Sequence, residues 1–306
     1  MKKVSVVIPC YNSSSYLADA IESALGQSYP LKEVIVVDDG STDNSAAIMY
    51  QYGERIRIVR QANAGLPAAR NAGILASTGE WIAFLDADDW WHPDFLSKTA
   101  QALESSDAVL AYTGWQNVEA AISSPHKPFV PEDYEKSSPS KAARLLRAPG
   151  WPVHAALVCR DALIEAGMFK PALKSCEDFD LWLRVAVTRP IVRVPEVLAY
   201  YRFHPQQMTR DIARTALTHY QVQCTFLQSH PEILATLDRT HLRLITSGEL
   251  LKRGYRAYWA RDLTAARAIF RQVMRRGYGK PLDWKYMLPA LLPEPWHHWL
   301  IRKFEN

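Results

Sequence analysis

The sequence predicts an α/β fold, a mostly parallel central sheet with helices on both faces, followed by a helical C-terminal extension. Three observations predict it. From Val4 to Leu85, short apolar runs alternate with segments of helical periodicity, the β-α-β-α-β-α-β order of a parallel sheet. Two of those runs end in aspartate clusters, and open α/β sheets place ligands beyond the carboxyl ends of their strands. From about Ile212 onward the pattern is helical, with few strand signals.

Val4 to Ile8 is a continuous β-branched run, as in a strand buried on both faces. It ends at Pro9-Cys10-Tyr11-Asn12, and Ser13 to Ser15 offer caps for a helix. Tyr16, Leu17, Ala20, Ile21, Ala24 and Leu25 recur at helical spacing. Val34 to Val37 is a second buried strand ending in Asp38-Asp39-Gly40-Ser41-Thr42-Asp43. A short helix over Ser45 to Tyr52, a strand over Ile56 to Val59 and a helix over Gly65 to Ala76 follow. The fourth strand is Trp81 to Leu85, and it runs into Asp86-Ala87-Asp88-Asp89. In extended backbone Asp86 and Asp88 point to the same side. Such a pair repels unless a cation lies between, and a hard divalent ion that also bridges phosphates suits it. A solvated acidic turn is the plainer reading; it suits Asp89 best, because His92-Pro93-Asp94 looks like a helix start.

Helix Pro93 to Leu103 and strand Ala108 to Thr113 come next. Residues 116–140, rich in Ser, Pro, Lys and Glu, read as a mobile surface loop. Order returns with Ala142 to Leu146 and a strand over Val153 to Cys159. Glu177-Asp178-Phe179-Asp180 opens an amphipathic helix, where negative charge meets the positive end of the helix dipole. Val192 to Tyr201 is strand-like, and a boundary falls near 205–212. We therefore expect domains at 1–208 and 209–306. A single helix pair of tetratricopeptide type fits 254–276 without a second copy, so no repeat array is expected.

Composition narrows the function. Net charge is +4 over 306 residues, too little to argue for nucleic acid. Four dispersed cysteines fit a reducing compartment and argue against a disulfide framework or zinc site. No apolar run reaches membrane-spanning length, and the N-terminal run is cut by Pro9, so a cytoplasmic location is expected. Neither a P-loop nor a dinucleotide-binding glycine turn occurs, which leaves phosphate binding to the acidic rim and a metal.

Five motifs then stand in order: Pro9-x-Tyr11-Asn12, Val37 to Asp43, Ala69-Arg70-Asn71-Ala72-Gly73, Phe84 to Asp89, and Glu177-Asp178-x-x-Leu181-Trp182-x-Arg184. Together they resemble the family 2 glycosyltransferases with the GT-A fold, over roughly residues 3–205. The resemblance implies inverting transfer of a sugar from a nucleotide diphosphate donor. It assigns Asp39 to the uracil ring, with Pro9 and Tyr11 lining that pocket, and Arg70 to the donor-binding set. It gives Asp88 to Mg²⁺ or Mn²⁺, with Asp86 beside it facing the ribose, and makes Asp178 the catalytic base, held ionised. Tyr201-Arg202-x-His204 resembles a segment closing near the donor diphosphate, which adds His204 to the donor set. Ser175-Cys176 stands where many members carry glycine.

Two rivals remain. An inactive sugar-nucleotide-binding protein would show a damaged aspartate motif, and both motifs are intact. A nucleotidyltransferase would show a glycine-rich basic loop where Tyr11 to Ser15 stands. The expected partners are a nucleotide-sugar donor, UDP-sugar favoured, and a glycan or lipid-linked acceptor. Residues 284–304 join three tryptophans and flanking Lys/Arg into a tail suited to a membrane face, and upstream Arg267, Arg271 and Arg275, one face of a helix over Leu263 to Met274, add positive charge with Arg276 and Lys280. The competing expectation is that this tail packs back on the catalytic domain and covers an apolar patch there.

Overall fold

A computed structural model describes residues 1–119, 127–136, 140–203 and 211–304. The chain divides into two compact units, Met1–Lys141 with Pro149–Gln206, and Ala142–Ala148 with Gln207–Asn306.

The first unit is built on one eight-stranded sheet ordered β3-β2-β1-β4-β7-β6-β8-β5. Its strands are β1 (Val4–Cys10), β2 (Leu31–Asp38), β3 (Arg57–Arg60), β4 (Trp81–Phe84), β5 (Trp90–Trp91), β6 (Leu110–Glu119), β7 (Ala156–Cys159) and β8 (Ile191–Phe203). The β3-β2-β1-β4 half is parallel, as the alternating pattern requires. β7 then runs antiparallel to both β4 and β6, while β8 pairs parallel with β6. The two-residue β5 joins β8 through Trp90 opposite Tyr200, a pairing too short for any sequence period to register.

Helices α1 (Leu17–Leu25), α2 (Ser45–Gln51), α3 (Leu66–Ala76), α4 (Phe95–Glu104), α6 (Arg160–Glu165) and α7 (Glu177–Ala186) belong to this unit, with α5 (Lys141–Arg147) between α4 and α6 in the chain. β1 is buried along its whole length, so α3 must lie close against it. Gly73 permits that approach: a Cβ there would sit 2.2 Å from Val7 Cγ1. The described part of 116–140 is not a loose loop. β6 extends to Glu119, Phe129 bridges to Trp115, and Tyr134 is buried. The Tyr112 hydroxyl donates to the Glu132 carbonyl and accepts the Tyr134 N–H, so buried aromatics override the polar composition.

The second unit is helical: α8 (Ile212–Ser229), α9 (Pro231–Thr236), α10 (Arg239–Arg243), α11 (Glu249–Trp259), α12 (Leu263–Arg275), α13 (Pro281–Met287) and α14 (Glu294–Phe304). A π-helical turn, Leu244–Gly248, leads into α11. α11 and α12 pair where the sequence places a helix hairpin, burying Leu250, Leu251, Ala266, Ile269, Phe270 and Val273. Met287, Ala290 and Ile301 join the same core, so the C-terminal segment packs onto this helical unit. No described helix is long and apolar enough to cross a membrane.

Candidate active site

Two strand ends carry the acidic rim. At the end of β2, Asp38 Oδ1 accepts the Ser41 N–H at 2.9 Å. Asp39 is 3% exposed; its Oδ1 accepts Gln61 Nε2 at 2.7 Å and the Ala64 N–H at 2.9 Å, and its Oδ2 accepts the Gly65 N–H at 2.9 Å. It thereby braces the turn that enters α3. Asn12, at φ 51°, takes the left-handed backbone that Asn tolerates, and its Oδ1 accepts the Thr42 N–H at 2.8 Å. Burial works against the Asp43 charge, but Ser45 and the Ser14 and Ser45 N–H groups outweigh it and hold Asp43 at about 2. Pro9 is buried in β1, and Tyr11 stands half in solvent beside it.

The end of β4 is different. Asp86 to Asp89 is a turn, not extended chain, with the Asp89 N–H on the Asp86 carbonyl at 3.0 Å. The turn carries Asp89 inward to full burial and leaves Asp86 and Asp88 half-buried. Burial, then the charges of Asp88 and Asp86, push the Asp89 carboxyl well above its ordinary range. His154 is equally buried, with Nδ1 3.1 Å from Asp89 Oδ2. Burial, the dominant influence, lowers it to about 4, so it is neutral. Among the described residues His154 Nδ1 and Nε2 and Asp89 Oδ2 have no hydrogen-bond partner, and ligand atoms of Asp86, Asp89 and His154 lie within 4.8 Å of one another. A neutral imidazole and one Asp89 oxygen without such partners, with Asp86 beside them, fit a divalent cation.

Arg70 joins this cluster to the start of α7. It is 2% exposed, and its guanidinium donates through Nη2 to Asp86 Oδ1 at 2.7 Å and through Nη1 to Glu177 Oε1 at 2.8 Å. The rest of its motif has equally definite tasks. Asn71 exchanges two hydrogen bonds with the Phe169 backbone, at 2.8 and 2.9 Å, which fixes the approach to α7. Asp178, beside Glu177, is half-buried. Burial and the Glu177 charge raise it to about 6, against the opposing pull of Arg70 and the Phe179 N–H. A carboxylate tuned that way is largely ionised at neutral pH yet basic enough to accept a proton. Asp180, the other carboxylate of this turn, is committed to Lys170 at 2.6 Å and Arg184 at 2.5 Å.

Arg202, near the end of β8, clamps the same turn. Its N–H donates to Asp89 Oδ1, its Nε to the Asp88 carbonyl, both at 2.9 Å, and its Nη2 to Asp19 Oδ2 at 2.8 Å. The guanidinium lies 4.8 Å from the Tyr16 ring and 4.6 Å from the Trp90 ring. His204 lies outside the described residues.

Comparison with known proteins now decides the family. The signature of glycosyl transferase family 2 matches residues 5–157. The chain belongs to that family. An uncharacterized glycosyltransferase of Rickettsia typhi is 31% identical over 222 residues, covering 71% of this chain and 69% of that protein. A similar Rickettsia felis protein is much longer, and the chain spans only 37% of it. Among solved structures, Staphylococcus aureus TarS 1–349 superposes with a TM-score of 0.61 at 20% identity, over 90% of this chain and 82% of that one. The Pyrobaculum calidifontis mannosyltransferase PcManGT, solved with GDP-Man and Mn²⁺, gives 0.59 at 18%, covering 97% and 83%. These two share the GT-A fold, and the chain is a glycosyltransferase.

In this glycosyltransferase the structure draws Asp86 and the neighbours Glu177 and Asp178, far apart in sequence, around the Arg70 guanidinium. Sequence reasoning missed Asp89 and His154. The solvated turn expected at Asp89 is overturned by its full burial, and the signal for His154 was its place, alone, within the apolar stretch Trp151 to Val158.

Proposed function

We propose that the chain transfers a sugar, with inversion, from a UDP-sugar to a hydroxyl of a glycan or lipid-linked acceptor, with Mg²⁺ or Mn²⁺ as cofactor. The observation that carries this reading is the Arg70 bridge. One buried guanidinium ties the carboxylate of the cation cluster to the turn that holds Asp178. Asp178 accepts the acceptor hydroxyl proton as that oxygen attacks the anomeric carbon. The bond from that carbon to the donor phosphate oxygen breaks, and its electron pair leaves with the nucleoside diphosphate. A bound divalent cation supplies charge stabilisation for that leaving diphosphate. Asp86, with Asp88 or with Asp89 and His154, is the set that would hold it. Arg70 keeps Asp86 and Glu177 oriented, so it acts on the donor through its neighbours. Asp39 braces the loop that, with Pro9 and Tyr11, would form the base pocket, and the family resemblance assigns His204, outside the described residues, to the donor set.

A TarS structure solved with UDP-GlcNAc supports the choice of donor, and the Mn²⁺ in PcManGT supports a divalent ion. Asp178→Asn keeps shape and removes the proton acceptor. Turnover should fall by about 10²–10⁴-fold with unchanged donor affinity. In the parent, the acidic limb of turnover should rise as pH passes about 6, because the base must be ionised. A loss of only a few-fold, or full activity in excess chelator, would overturn the corresponding part of the reading. Equal calorimetric affinity for GDP and UDP would overturn the choice of uracil.

A further inference from the structure

Three short helical pieces near the C-terminus divide their side chains the same way. In α13, Met287 is buried and Trp284 packs half-buried on the helical core, while Leu282 is 77% exposed and Lys285 is exposed beside it. In the 3₁₀ turn Leu288–Leu291, Ala290 is buried, but Leu288 and Leu291 are 50% and 58% exposed. Residues three apart eclipse in a 3₁₀ turn, so those two leucines share the outer side. In α14, His297 and Ile301 face the core, while Trp296 and Trp299 are 67% and 60% exposed and Lys303 is exposed. Positions 296, 299 and 303 lie on one helix face. The inner residues of this segment are therefore employed in the core, while Leu282, Leu288, Leu291, Trp296 and Trp299 stand outside.

The cations divide similarly. Arg267 donates to the Leu292 carbonyl, at 2.7 Å through Nη2, and Arg271 to the Ala290 and Leu291 carbonyls at 2.7 and 3.0 Å. These two fasten the turn after α13 onto α12 and are not spare surface charge, contrary to the expectation from sequence. The outward cations are others. Lys303 Nζ lies 5.0 Å from the Trp299 ring centre. Arg275 shares a hollow with Leu291, and Lys285 stands between Leu282 and Leu288 in the chain. The nearby acids are bound by their own chain: Asp283 to the Tyr255 hydroxyl and the Lys280 N–H, Glu294 to the Thr264 hydroxyl.

We propose that this outer face, Leu282, Leu288, Leu291, Trp296 and Trp299 with Lys285, Lys303 and Arg275, seats on the surface of an anionic lipid bilayer. Exposed tryptophan and leucine beside lysine and arginine match the boundary between headgroups and acyl chains. Each outward cation adds attraction to an anionic leaflet. A second copy of the chain fits less well, because a two-fold contact through this patch would set its cations against themselves. The geometry stands by itself, and its use, access to a lipid-linked acceptor, rests on the transferase reading.

The test is sedimentation of the full chain with phosphatidylcholine vesicles and with vesicles containing phosphatidylglycerol. Binding should appear with the anionic vesicles and weaken as salt is raised. Trp296→Ser with Trp299→Ser should weaken it at least ten-fold with the melting temperature unchanged, since both rings are already in solvent. Lys285→Glu with Lys303→Glu should abolish the preference for anionic vesicles. Failure of the parent to bind either vesicle, or undiminished binding by the tryptophan pair, overturns the proposal. So does a dimer in analytical ultracentrifugation that the tryptophan substitutions dissolve. Hydrolysis of UDP-sugar by the same variants is followed in parallel. Its absence in the parent would count against the transferase reading and leave the vesicle result standing.

Discussion

The acidic ends of β2 and β4 look alike in sequence, Val37-Asp38-Asp39 against Phe84-Leu85-Asp86-Ala87-Asp88-Asp89, and are satisfied in opposite ways. After β2, backbone N–H groups of Ser41, Ala64 and Gly65 and the Gln61 amide converge on Asp38 and Asp39. Those carboxylates are fasteners that hold two loops. After β4, Asp86 and Asp89 meet Arg70, the Arg202 N–H and a neutral histidine that has no hydrogen bond among the described residues. The difference teaches that a run of aspartates after a strand names a rim, whereas the supply of nearby donors decides which part of it remains available for a ligand.

The largest break in that comparison is Arg70→Met. It removes the cation that pairs with both Asp86 and Glu177 and leaves the acids half-buried and buried without it. Removing one partner of a buried ion pair typically costs about 3–5 kcal/mol, and the partial exposure of Asp86 favours the lower end. Equilibrium denaturation of the parent and variant measures it. A loss below about 1 kcal/mol would mean that water or another group replaces the guanidinium. Activity should be lost as well, since Asp86 and the α7 turn lose their common anchor.

A paired substitution sharpens the contrast. Asp39→Ala strips the buried carboxylate from the exposed Ala64 and half-buried Gly65 N–H groups and from the Gln61 amide, at a cost near the lower end of about 1–3 kcal/mol. Asp89→Asn should not destabilise when measured in chelator. The amide still accepts the Arg202 N–H, its NH₂ can donate to His154 Nδ1, and a charge crowded by Asp86 and Asp88 is gone. Because the folded Asp89 carboxyl titrates above its unfolded value, its contribution to stability is present at low pH and lost as pH rises through the folded value. The advantage of Asn over Asp should therefore grow with pH. Metal-dependent activity should fall in the same variant. Equal destabilisation by Asp39→Ala and Asp89→Asn would erase the distinction between fastener and site.

Much of this architecture was legible because it is periodic. Continuous apolar runs gave β1, β2 and β4, and helical spacing gave α1, α3 and α12 within a residue or two. The antiparallel insertion of β7 was not legible, because Ala156 to Cys159 carries no mark of its partner's direction. β5 was invisible for the reason that two residues have no period. At the site, chemistry showed where it lay next to itself in sequence, as in Asp86 and Asp88 or Glu177 and Asp178. The Asp89–His154 contact and the Arg202 clamp escaped because each is long-range, and only the fold brings its members together. Arg267 and Arg271 show the opposite error: helical spacing made them look like a charged face, yet each ends on backbone carbonyls of the following turn.

The smallest expected effect concerns the backbone on the two sides of the rim. The β2 side uses Asn12 at φ 51°, a residue suited to that conformation, whose side chain also closes the loop. The α7 side uses Cys176 at φ 58°, immediately before Glu177 and Asp178. A non-glycine residue there carries about 1–2 kcal/mol of steric cost. Glycine would remove that cost but would lose about 0.5–1 kcal/mol through the greater freedom of its unfolded chain. Cys176→Gly should therefore stabilise by less than about 1 kcal/mol, or a rise of roughly 2–4 °C at most. The Cys176 carbonyl still accepts the Asp180 N–H in that geometry, so α7 and the pKa of Asp178 should be unchanged, and turnover with them. Cys176→Val should lose stability, because a β-branched residue is the least tolerant of positive φ. If glycine lowered the melting temperature instead, what the thiol touches would be worth more than the strain it holds. The turn before Asp178 would then be fastened by that side chain, as the β2 side is fastened by Asn12.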